Sequence, residues 1–456
     1  AIDPLQMGCL YEESRRTGTP EVWRTVMRQE AHNYLDLALH YAKAGLLEEA
    51  VEILQACPEQ SPMPSYYEGY LHGLAGDEAA ARACCLRAEH LPAPRCYPNR
   101  VEEIAILEYA IRLLGRAPRA HALLGCLLYD KKQADAAIAH WEASVQQNPG
   151  QALVHRNLAI ARYNKQGDAD AALREMEQAR RLDPGYPRLL LEYDQLAARL
   201  GRSNAARLQL LEENLALVEQ RDDLMLRYVT LLNCEGRCEE ALQILLTRRF
   251  HPWEGGEGKV SAQYRYALIR LAKDCLNRGE NDRAVQLLEQ SKTYPDTLGE
   301  GKLPNVPDNE ADYWQGVALR AMGREPEAAA AFLRAASGPQ EPGRVLYYND
   351  QPSDFIYYQG LAQRAMGNEA AARKAFHKLL TYGETHLFDA VAYDFFAVSL
   401  PEIEVFADDI ALRNRQYCNY LRALGCAGLG RTSEAAELFA GILELQPDDQ
   451  GALRHA

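Results

Sequence analysis

Residues 118–151 read PRAHALLGCLLYDKKQADAAIAHWEASVQQNPGQ and contain two helix-forming stretches joined by a short polar turn. In the second stretch, Ala137 and Trp141 stand four residues apart, and Pro149 follows them. Residues four apart share one helix face, so the small Ala137 lets the second helix approach the first while Trp141 fills the groove between them. The proline then ends the second helix. The stretch therefore predicts a helix–turn–helix unit.

The same pattern recurs along the chain. An alanine follows a glycine by five residues at nine places: Gly45/Ala50, Gly76/Ala81, Gly167/Ala172, Gly201/Ala206, Gly236/Ala241, Gly279/Ala284, Gly323/Ala328, Gly367/Ala372 and Gly430/Ala435. At a tenth place Lys132 replaces the glycine before Ala137. Four residues past each alanine stands a larger apolar residue or cysteine: Leu54, Cys85, Trp141, Met176, Leu210, Leu245, Leu288, Phe332, Phe376 and Phe439. Glycine suits the turn because the end of the first helix needs a left-handed residue.

Units of about 34 residues with this pattern resemble the tetratricopeptide repeat. The resemblance predicts an all-α fold, a right-handed superhelical solenoid of about ten helix–turn–helix repeats with long inter-repeat insertions in the C-terminal half. In such a solenoid each repeat packs only on its neighbours, so a long chain needs no single compact core. The pattern indicates a protein that binds or spaces other molecules.

The spacing of the turns predicts the organisation of the chain. Residues 1–29 are expected to be the tail of a preceding repeat or a linker, and residues 30–246 and 247–456 the N-terminal and C-terminal repeats. Residues 101–115 carry apolar residues at helical spacing and predict an extra helix. After Gly236 the turns stand further apart than about 34 residues.

The extra residues of the C-terminal half fall between the second helix of one repeat and the first helix of the next. They predict inserted loops at 250–262, 294–310, 338–353 and 382–412, of which the last is expected to hold a helix of its own. Connections of this kind lie along one edge of a solenoid, and insertions on one face often form the binding face.

The first two insertions share the sequence Gly-Glu-Gly-Lys, at 256–259 and 299–302. This is not a phosphate-binding loop, because no strand precedes it and no Ser or Thr follows the lysine. Two interpretations stay open, namely helix punctuation with a solvated charge pair, or shaped loops that touch a ligand or another domain. The candidate binding residues here are Trp253, Glu254, Glu257, Lys259, Glu300 and Lys302.

The first helices of the last three repeats provide a second candidate surface. Alignment on the turn glycines places Tyr313, Tyr357 and Tyr420 at one position. Arg320 and Arg364 share another position two turns further along the same helix face. Tyrosines beside arginines suit an extended peptide, an anionic group or a sugar ring. Ordinary packing between adjacent first helices is the alternative.

Composition and motifs exclude several function classes. The net charge is −14, with a pI near 5.4, which argues against nucleic acid or an anionic membrane as the main partner. We find no metalloprotease or nucleophile-elbow motif, and we predict no catalytic residue, no metal and no cofactor. The eleven cysteines, including the Cys234/Cys238 pair, are interpreted as reduced, buried small hydrophobes of a cytoplasmic protein.

Three segments indicate a particular family among the tetratricopeptide-repeat proteins. They are CYPNRVEEIA at 96–105, FHPWEGGEGK at 250–259, and FFAVSLP at 395–401 followed by RNR at 413–415. They resemble the C-terminal half of a family of large bacterial proteins, in which a galactose-mutarotase-like β-sandwich domain of unknown function precedes a tetratricopeptide array. The resemblance implies that an upstream sandwich domain is missing from this sequence and, by analogy with that domain, that the parent protein acts on or binds carbohydrate. It implies no catalytic residue among the repeats of this chain. Ile2-Asp3-Pro4 resembles the repeat tail Leu182-Asp183-Pro184, which indicates a fragment of a larger protein or, alternatively, an expression-vector remnant.

The expected function is that of a non-catalytic interaction scaffold. The expected partner is the upstream β-sandwich domain, a second copy of the chain or a peptide. The alternative is an accessory half of a carbohydrate-active enzyme, whose inserted loops help to form a sugar site. A scaffold would pack Trp253 against protein, whereas a sugar site would leave it exposed as a stacking platform.

Overall fold

The computed structural model describes residues 4–93, 96–253, 255–347, 350–393 and 404–456. Within these ranges every regular element is helical, and no strand is formed. Contacts divide the chain into two compact units, Ala1–Asp183 and Pro184–Ala456. The predicted boundary between residues 246 and 247 separates repeats with short connections from repeats with inserted loops. This subdivision stays a prediction.

The first unit has four helical hairpins, α3–α4, α5–α6, α8–α9 and α10–α11. Its helices are α1 (Pro4–Thr17), α2 (Glu21–Met27), α3 (Ala31–Lys43), α4 (Leu47–Gln55), α5 (Pro62–Leu74), α6 (Glu78–His90), α7 (Glu102–Leu114), α8 (Pro118–Asp130), α9 (Ala134–Gln147), α10 (Ala152–Ala161) and α11 (Ala169–Leu182). α7 occupies the stretch where the apolar spacing predicts an extra helix. α10 continues into a π-helical turn, Arg162–Gln166.

The second unit has six hairpins, α12–α13, α15–α16, α17–α18, α19–α20, α21–α22 and α23–α24. Its helices are α12 (Pro187–Arg199), α13 (Asn204–Glu213), α14 (Leu215–Val218), α15 (Asp222–Cys234), α16 (Cys238–Thr247), α17 (Lys259–Asn277), α18 (Asn281–Gln290), α19 (Asn309–Ala321), α20 (Glu325–Ala335), α21 (Phe355–Ala365), α22 (Glu369–His386), α23 (Ile410–Gly428), α24 (Thr432–Leu445) and α25 (Gln450–His455).

The ten turns adopt the conformation that the sequence predicts. All nine turn glycines have positive φ, between 65° at Gly201 and 86° at Gly76 and Gly367. Lys132 takes the same left-handed conformation, with φ 63°, although it carries a side chain. The glycine pattern therefore marks the helix ends because the backbone requires a left-handed residue there.

The alanine rule holds in nine hairpins and is wrong in one. Nine of the ten alanines are buried between the two helices of their hairpin, and Ala206 is exposed. In α13 the neighbouring Arg207 is buried instead, at 2% exposure, and Leu210 is only half-buried. The cause is Asp194 of α12, which is fully buried and binds the Arg207 guanidinium, so α13 presents its charged residue to α12.

Hydrogen bonds link the long connections of the second unit to one another and to a neighbouring helix. The backbone N–H of Phe250 donates to the Thr297 carbonyl at 2.8 Å, which joins the connections after α16 and α18. The Tyr417 hydroxyl donates to the Gly343 carbonyl at 3.0 Å and so ties α23 to the connection after α20. The helix expected within 382–412 falls partly on residues 394–403, including Phe395 and Phe396, which lie outside the described residues.

Candidate interaction site

The last residues of the chain lie against the first helices of the second unit. We call residues 446–456, which follow α24 and include α25, the closing segment. Asn204 donates to the Pro447 carbonyl at 2.6 Å, and the amides of Gln263 and Gln450 donate to each other at 3.0 and 2.8 Å. The closing segment thus contacts both α13, near the start of the unit, and α17. We call the surface that it covers, formed mainly by α13, α15, α17, α19, α21 and α23, the groove.

One end of the groove is basic. Asp194 of α12 accepts hydrogen bonds from Arg207 at 2.8 and 3.1 Å and from Arg227 of α15 at 2.7 Å. Burial raises the pKa of Asp194, but the two guanidinium charges outweigh it and lower the pKa overall. Asp448 of the closing segment then accepts from Arg207 at 2.9 Å and lies 3.8 Å from Arg227. We call Asp194, Arg207 and Arg227 the basic end, whose second carboxylate comes from the closing segment.

The other end of the groove is acidic. Arg454 of the closing segment donates to Glu310 of α19 at 2.8 Å and to Asp354, which precedes α21, at 3.4 Å. Glu310 also accepts from the Tyr358 hydroxyl at 2.7 Å, and Asp354 accepts from Tyr420 at 3.2 Å. Burial raises the pKa of Asp354, whereas the charge of Arg454 outweighs burial at Glu310 and lowers its pKa. We call Glu310 and Asp354 the acidic end.

Four aromatic rings surround His455 beside the acidic end. The His455 ring stacks on Phe439 at a centroid distance of 6.1 Å with 20° between the planes. Its centroid lies 5.4, 5.8 and 6.1 Å from those of Tyr357, Tyr358 and Tyr420. Burial, together with the charge of Arg454, lowers the pKa of His455 to about 3, so the ring is neutral at pH 7. We call these four residues the ring cage.

The predicted tyrosine column is divided between the groove and the helix packing. Tyr357 and Tyr420 belong to the ring cage and contact the closing segment. Tyr313 lies behind them, with its ring 6.0 Å from Tyr358 and 6.0 Å from Phe332. The structure therefore brings two of the three tyrosines together around one side chain.

The predicted arginines pack between neighbouring hairpins. Arg320 lies over the Phe332 ring at 4.5 Å and donates to the Ala365 carbonyl at 3.0 Å. Arg364 lies over Phe376 at 5.0 Å and donates at 2.9 Å to the carbonyl of Gly428, at the end of the next first helix. A cation beside the last carbonyls of a helix is stabilised by the helix dipole. Contacts of this kind are expected if the two arginines serve the packing between adjacent helices. A role of Arg320 and Arg364 in binding a ligand stays a prediction.

The two Gly-Glu-Gly-Lys motifs contact each other. The Glu300 carboxylate accepts from the backbone N–H groups of Gly258 at 2.7 Å and Ser261 at 3.1 Å, so it caps the start of α17. Lys302 donates to both oxygens of Asp308 at 2.6 Å. Glu257 accepts from the Gly255 N–H at 2.7 Å within its own loop. These contacts agree with helix punctuation, but Glu300 and Lys302 bind other groups of the protein and do not form the solvated charge pair of that interpretation. A role of the motifs toward a ligand stays a prediction.

Trp253 is half-buried and packs against the core of the second unit. Its ring lies over Gly256, where an added Cβ would come within 2.1 Å of the indole. Lys259 is the first residue of α17 and is half-buried, while Glu254 lies outside the described residues. The loop thus presents the tryptophan to protein, as expected for a scaffold, and its binding role stays a prediction.

Sequence reasoning missed most residues of the groove. It did not single out the eight charged and imidazole residues Asp194, Arg207, Arg227, Glu310, Asp354, Asp448, Arg454 and His455. One signal was available, because Glu310 and Asp354 stand three residues before Tyr313 and Tyr357 in the same glycine alignment. Two carboxylates at equivalent first-helix positions indicate a charged face, although they do not reveal the arginine that binds them.

Of the Cys234/Cys238 pair, Cys238 is buried and Cys234 is half-buried. The expectation that all eleven cysteines are buried is wrong for Cys9, which is exposed. Burial raises the pKa of Cys234 to about 12 and that of Cys238 to about 11, so both are protonated at neutral pH. The part of the chain that the structure describes contains no group of three His, Cys, Asp or Glu residues placed to hold a metal. Among the same residues, no helix is long and apolar enough to cross a membrane.

One part of the chain matches a known family model. Residues 354–382 match the family model described as tetratricopeptide repeat, and they span α21 and most of α22. MamA, from residue 41 to its end, of Desulfovibrio magneticus RS-1 is 19% identical over 41% of this chain and 93% of its own, with a TM-score of 0.25. A tetratricopeptide repeat protein from Parabacteroides merdae is 16% identical over 67% of this chain and 100% of its own, with a TM-score of 0.28.

YrrB, described as a tetratricopeptide protein with an unusual peptide-binding site, is 17% identical over 36% of this chain and 91% of its own, with a TM-score of 0.19. Likenesses of this extent say nothing about a partner or a site. The family match, the ten hairpins and their left-handed turns agree with one another. The chain therefore has the tetratricopeptide-repeat fold.

Proposed function

We propose that the chain is a protein-interaction scaffold whose second unit holds a peptide segment in the groove. The observation that carries this proposal is the closing segment itself, which lies in the groove with an ion pair at each end and one ring in a cage. The groove is thus complementary to a short stretch of polypeptide in charge and in shape. Its charged groups bind their counterions through fixed hydrogen bonds, an arrangement suited to recognition.

A peptide segment fits the groove better than the other ligands considered from the sequence. A sugar platform would need an exposed aromatic face, whereas Trp253 packs on the core and over Gly256. The paired loops around Glu300 use their polar groups on each other. An upstream β-sandwich domain or a second copy of the chain would enter the groove by presenting a segment of this kind.

The test is binding of the closing-segment sequence from outside. In the full chain, Arg454→Ala with His455→Ala removes the ion pair and the ring that hold the closing segment. We expect a fluorescein-labelled peptide of residues 446–456 to bind this variant saturably at one site, measured by fluorescence anisotropy. Circular dichroism and thermal melting establish that the variant is folded.

Arg320→Ala is the matched control, because this arginine lies outside the groove and its removal should leave binding as weak as in the unaltered chain. If the folded double variant binds no peptide, the groove is not a peptide site and the proposed function is wrong. If the double variant does not fold, Asp448→Asn, which loosens the other end of the closing segment, takes its place in the same measurement.

A further inference from the structure

Resting on the proposed function, we infer that the closing segment is a displaceable stand-in for the partner. We infer further that the partner segment carries an acidic residue at one end and, six residues later, an arginine followed by a flat ring. Asp448, Arg454 and His455 are these three groups in the chain itself.

Charge complementarity fixes the two ends of the partner. Without the closing segment, Arg207 and Arg227 share one directly bound carboxylate, that of Asp194, while the charge of Glu404 acts on Arg227 from further away. Glu310 and Asp354 would lose the guanidinium that joins them and keep only the more distant charges of Lys273 and Arg265. Buried charges without a counterion are strongly unfavourable. An occupant of the groove therefore has to bring a negative and a positive group in the same order and at the same spacing.

The geometry of the acidic end selects arginine rather than lysine. The two terminal nitrogens of Arg454 donate to two carboxylates that stand on different elements, Glu310 on α19 and Asp354 before α21. A planar guanidinium reaches both at once, whereas an ammonium is a compact point charge. The next residue enters the ring cage as a neutral ring, so a phenyl or indole group fits there as well as an imidazole.

The closing segment is held mainly by polar contacts that another polypeptide segment could reproduce. Ala452 is fully buried and His455 lies in the ring cage, whereas the contacts of Asp448, Gln450 and Arg454 are polar. Opening leaves the charges at both ends without these partners, so displacement requires an occupant that supplies the same polar groups. A partner with the same polar groups and more apolar surface would therefore displace it.

The closing segment also fills the acidic end incompletely. A cavity of about 160 Å³ lies beside Arg454 and is lined by Arg265, Glu310, Asp354 and Tyr358 among others. The Nε of Arg265 is buried, and no described residue accepts a hydrogen bond from it. The external partner would complete this site with an acceptor oxygen, which gives it an advantage over the closing segment.

The test compares four labelled peptides of residues 446–456, namely the unaltered sequence and those with Arg454→Lys, His455→Phe or Asp448→Asn. Each is titrated into the unaltered full chain and into the full chain with Arg454→Ala and His455→Ala. In the unaltered chain the closing segment occupies the groove, so a peptide binds only the fraction of molecules in which the groove is open. We therefore expect every peptide to bind the unaltered chain at least about tenfold more weakly than the double variant. On the double variant, the Arg454→Lys peptide keeps its charge but loses one of the two hydrogen bonds to the carboxylates, and the Asp448→Asn peptide loses its negative charge. Each of these two peptides should bind roughly tenfold more weakly than the unaltered peptide, and the His455→Phe peptide should bind equally well.

Each outcome decides between the two proposals. Equal affinity of the Arg and Lys peptides would overturn the inferred partner chemistry and leave the proposed function standing. Equal binding to both forms of the chain would show that the closing segment does not occupy the site. Absence of binding to a folded double variant would refute the proposed function itself.

A measurement on the unaltered chain needs no variant. Excess isotopically labelled peptide of the unaltered sequence should speed hydrogen exchange of the chain's own α25 amides, because it competes for the groove. The Arg454→Lys peptide at the same concentration should have much less effect. If both peptides leave exchange in α25 unchanged at concentrations that saturate the opened chain, the closing segment is a fixed part of the fold.

Discussion

Hairpins α8–α9 and α12–α13 carry the same repeat signature and are built differently. In α8–α9, Ala137 is fully buried, and Trp141, 2% exposed, donates from its indole to the Ala122 carbonyl at 3.2 Å. In α12–α13, Ala206 is exposed and the neighbouring Arg207 is buried against Asp194. Hairpin α8–α9 is stabilised by apolar packing, whereas α12–α13 is stabilised by a buried ion pair. The arginine of that pair, Arg207, also binds Asp448.

The difference shows where the repeat serves the fold and where it serves a site. A hairpin that only stacks on its neighbours needs a small residue at the crossing and a large one beside it. At α12–α13 the crossing instead positions Arg207, which binds the closing segment. The departure from the alanine rule therefore marks the groove more clearly than any motif does.

Removal of Asp194 should have the largest effect on this comparison. Asp194→Ala leaves Arg207 and Arg227 buried with only Asp448 between them, and breaking a buried pair in this way costs about 3–5 kcal/mol of unfolding free energy. We expect the melting temperature of the second unit to fall and α25 to exchange its amide protons faster. In the control, Asp170→Ala on the exposed surface of α11 should be nearly neutral. A melting temperature unchanged by Asp194→Ala would contradict the ion-pair account of α12–α13.

The two alanines provide a matched pair of substitutions. Ala137→Leu inserts methyl groups where α8 and α9 touch, and overpacking of this kind costs about 1–3 kcal/mol. Ala206→Leu places the same side chain in solvent and should change stability by no more than about 0.5 kcal/mol. Thermal melting of the two variants compares them directly. Equal losses would mean that Ala206 packs as the other alanines do.

Much of the fold could be predicted because its causes are local. A left-handed turn needs glycine, and a close helix crossing needs a small residue, so ten turns and nine buried alanines follow from spacing. Lys132 shows that the context can impose this conformation even on a residue with a side chain.

The candidate site was less predictable because its contacts are distant in the chain. Arg207 and Asp448 stand 241 residues apart, and no period connects them. Alignment of the repeats found Tyr357 and Tyr420 because these occupy equivalent positions, but it could not reveal that His455 lies between them. The same alignment predicts Arg320 as a ligand contact, yet position alone does not distinguish a groove residue from one that packs over Phe332.

Acidification should loosen the closing segment and leave the Asp194 ion pair in place. The pKa of His455 is about 3 in the folded chain and near 6.5 when the ring is exposed, so the open form binds a proton first. The stability of the docked segment is therefore complete above pH 6.5 and falls as the pH drops toward 3, by about 1.4 kcal/mol at pH 5.5. The charged groups that face the ring have opposite effects on its pKa. Arg454 and Lys273 disfavour protonation of His455, and Glu310 favours it.

The measurement is hydrogen exchange of α25 at pH 7.0 and 5.5, corrected for the intrinsic rate. We expect faster opening at pH 5.5 in the unaltered chain and little pH dependence in His455→Phe, since a phenyl ring fits the cage and does not titrate. The control matters because the carboxylates respond to acid as well: burial raises the pKa of Asp354 against the opposing charge of Arg454, and that charge leaves when the segment opens. If His455→Phe opened as readily at pH 5.5 as the unaltered chain, the acid response would belong to the carboxylates and not to the ring cage.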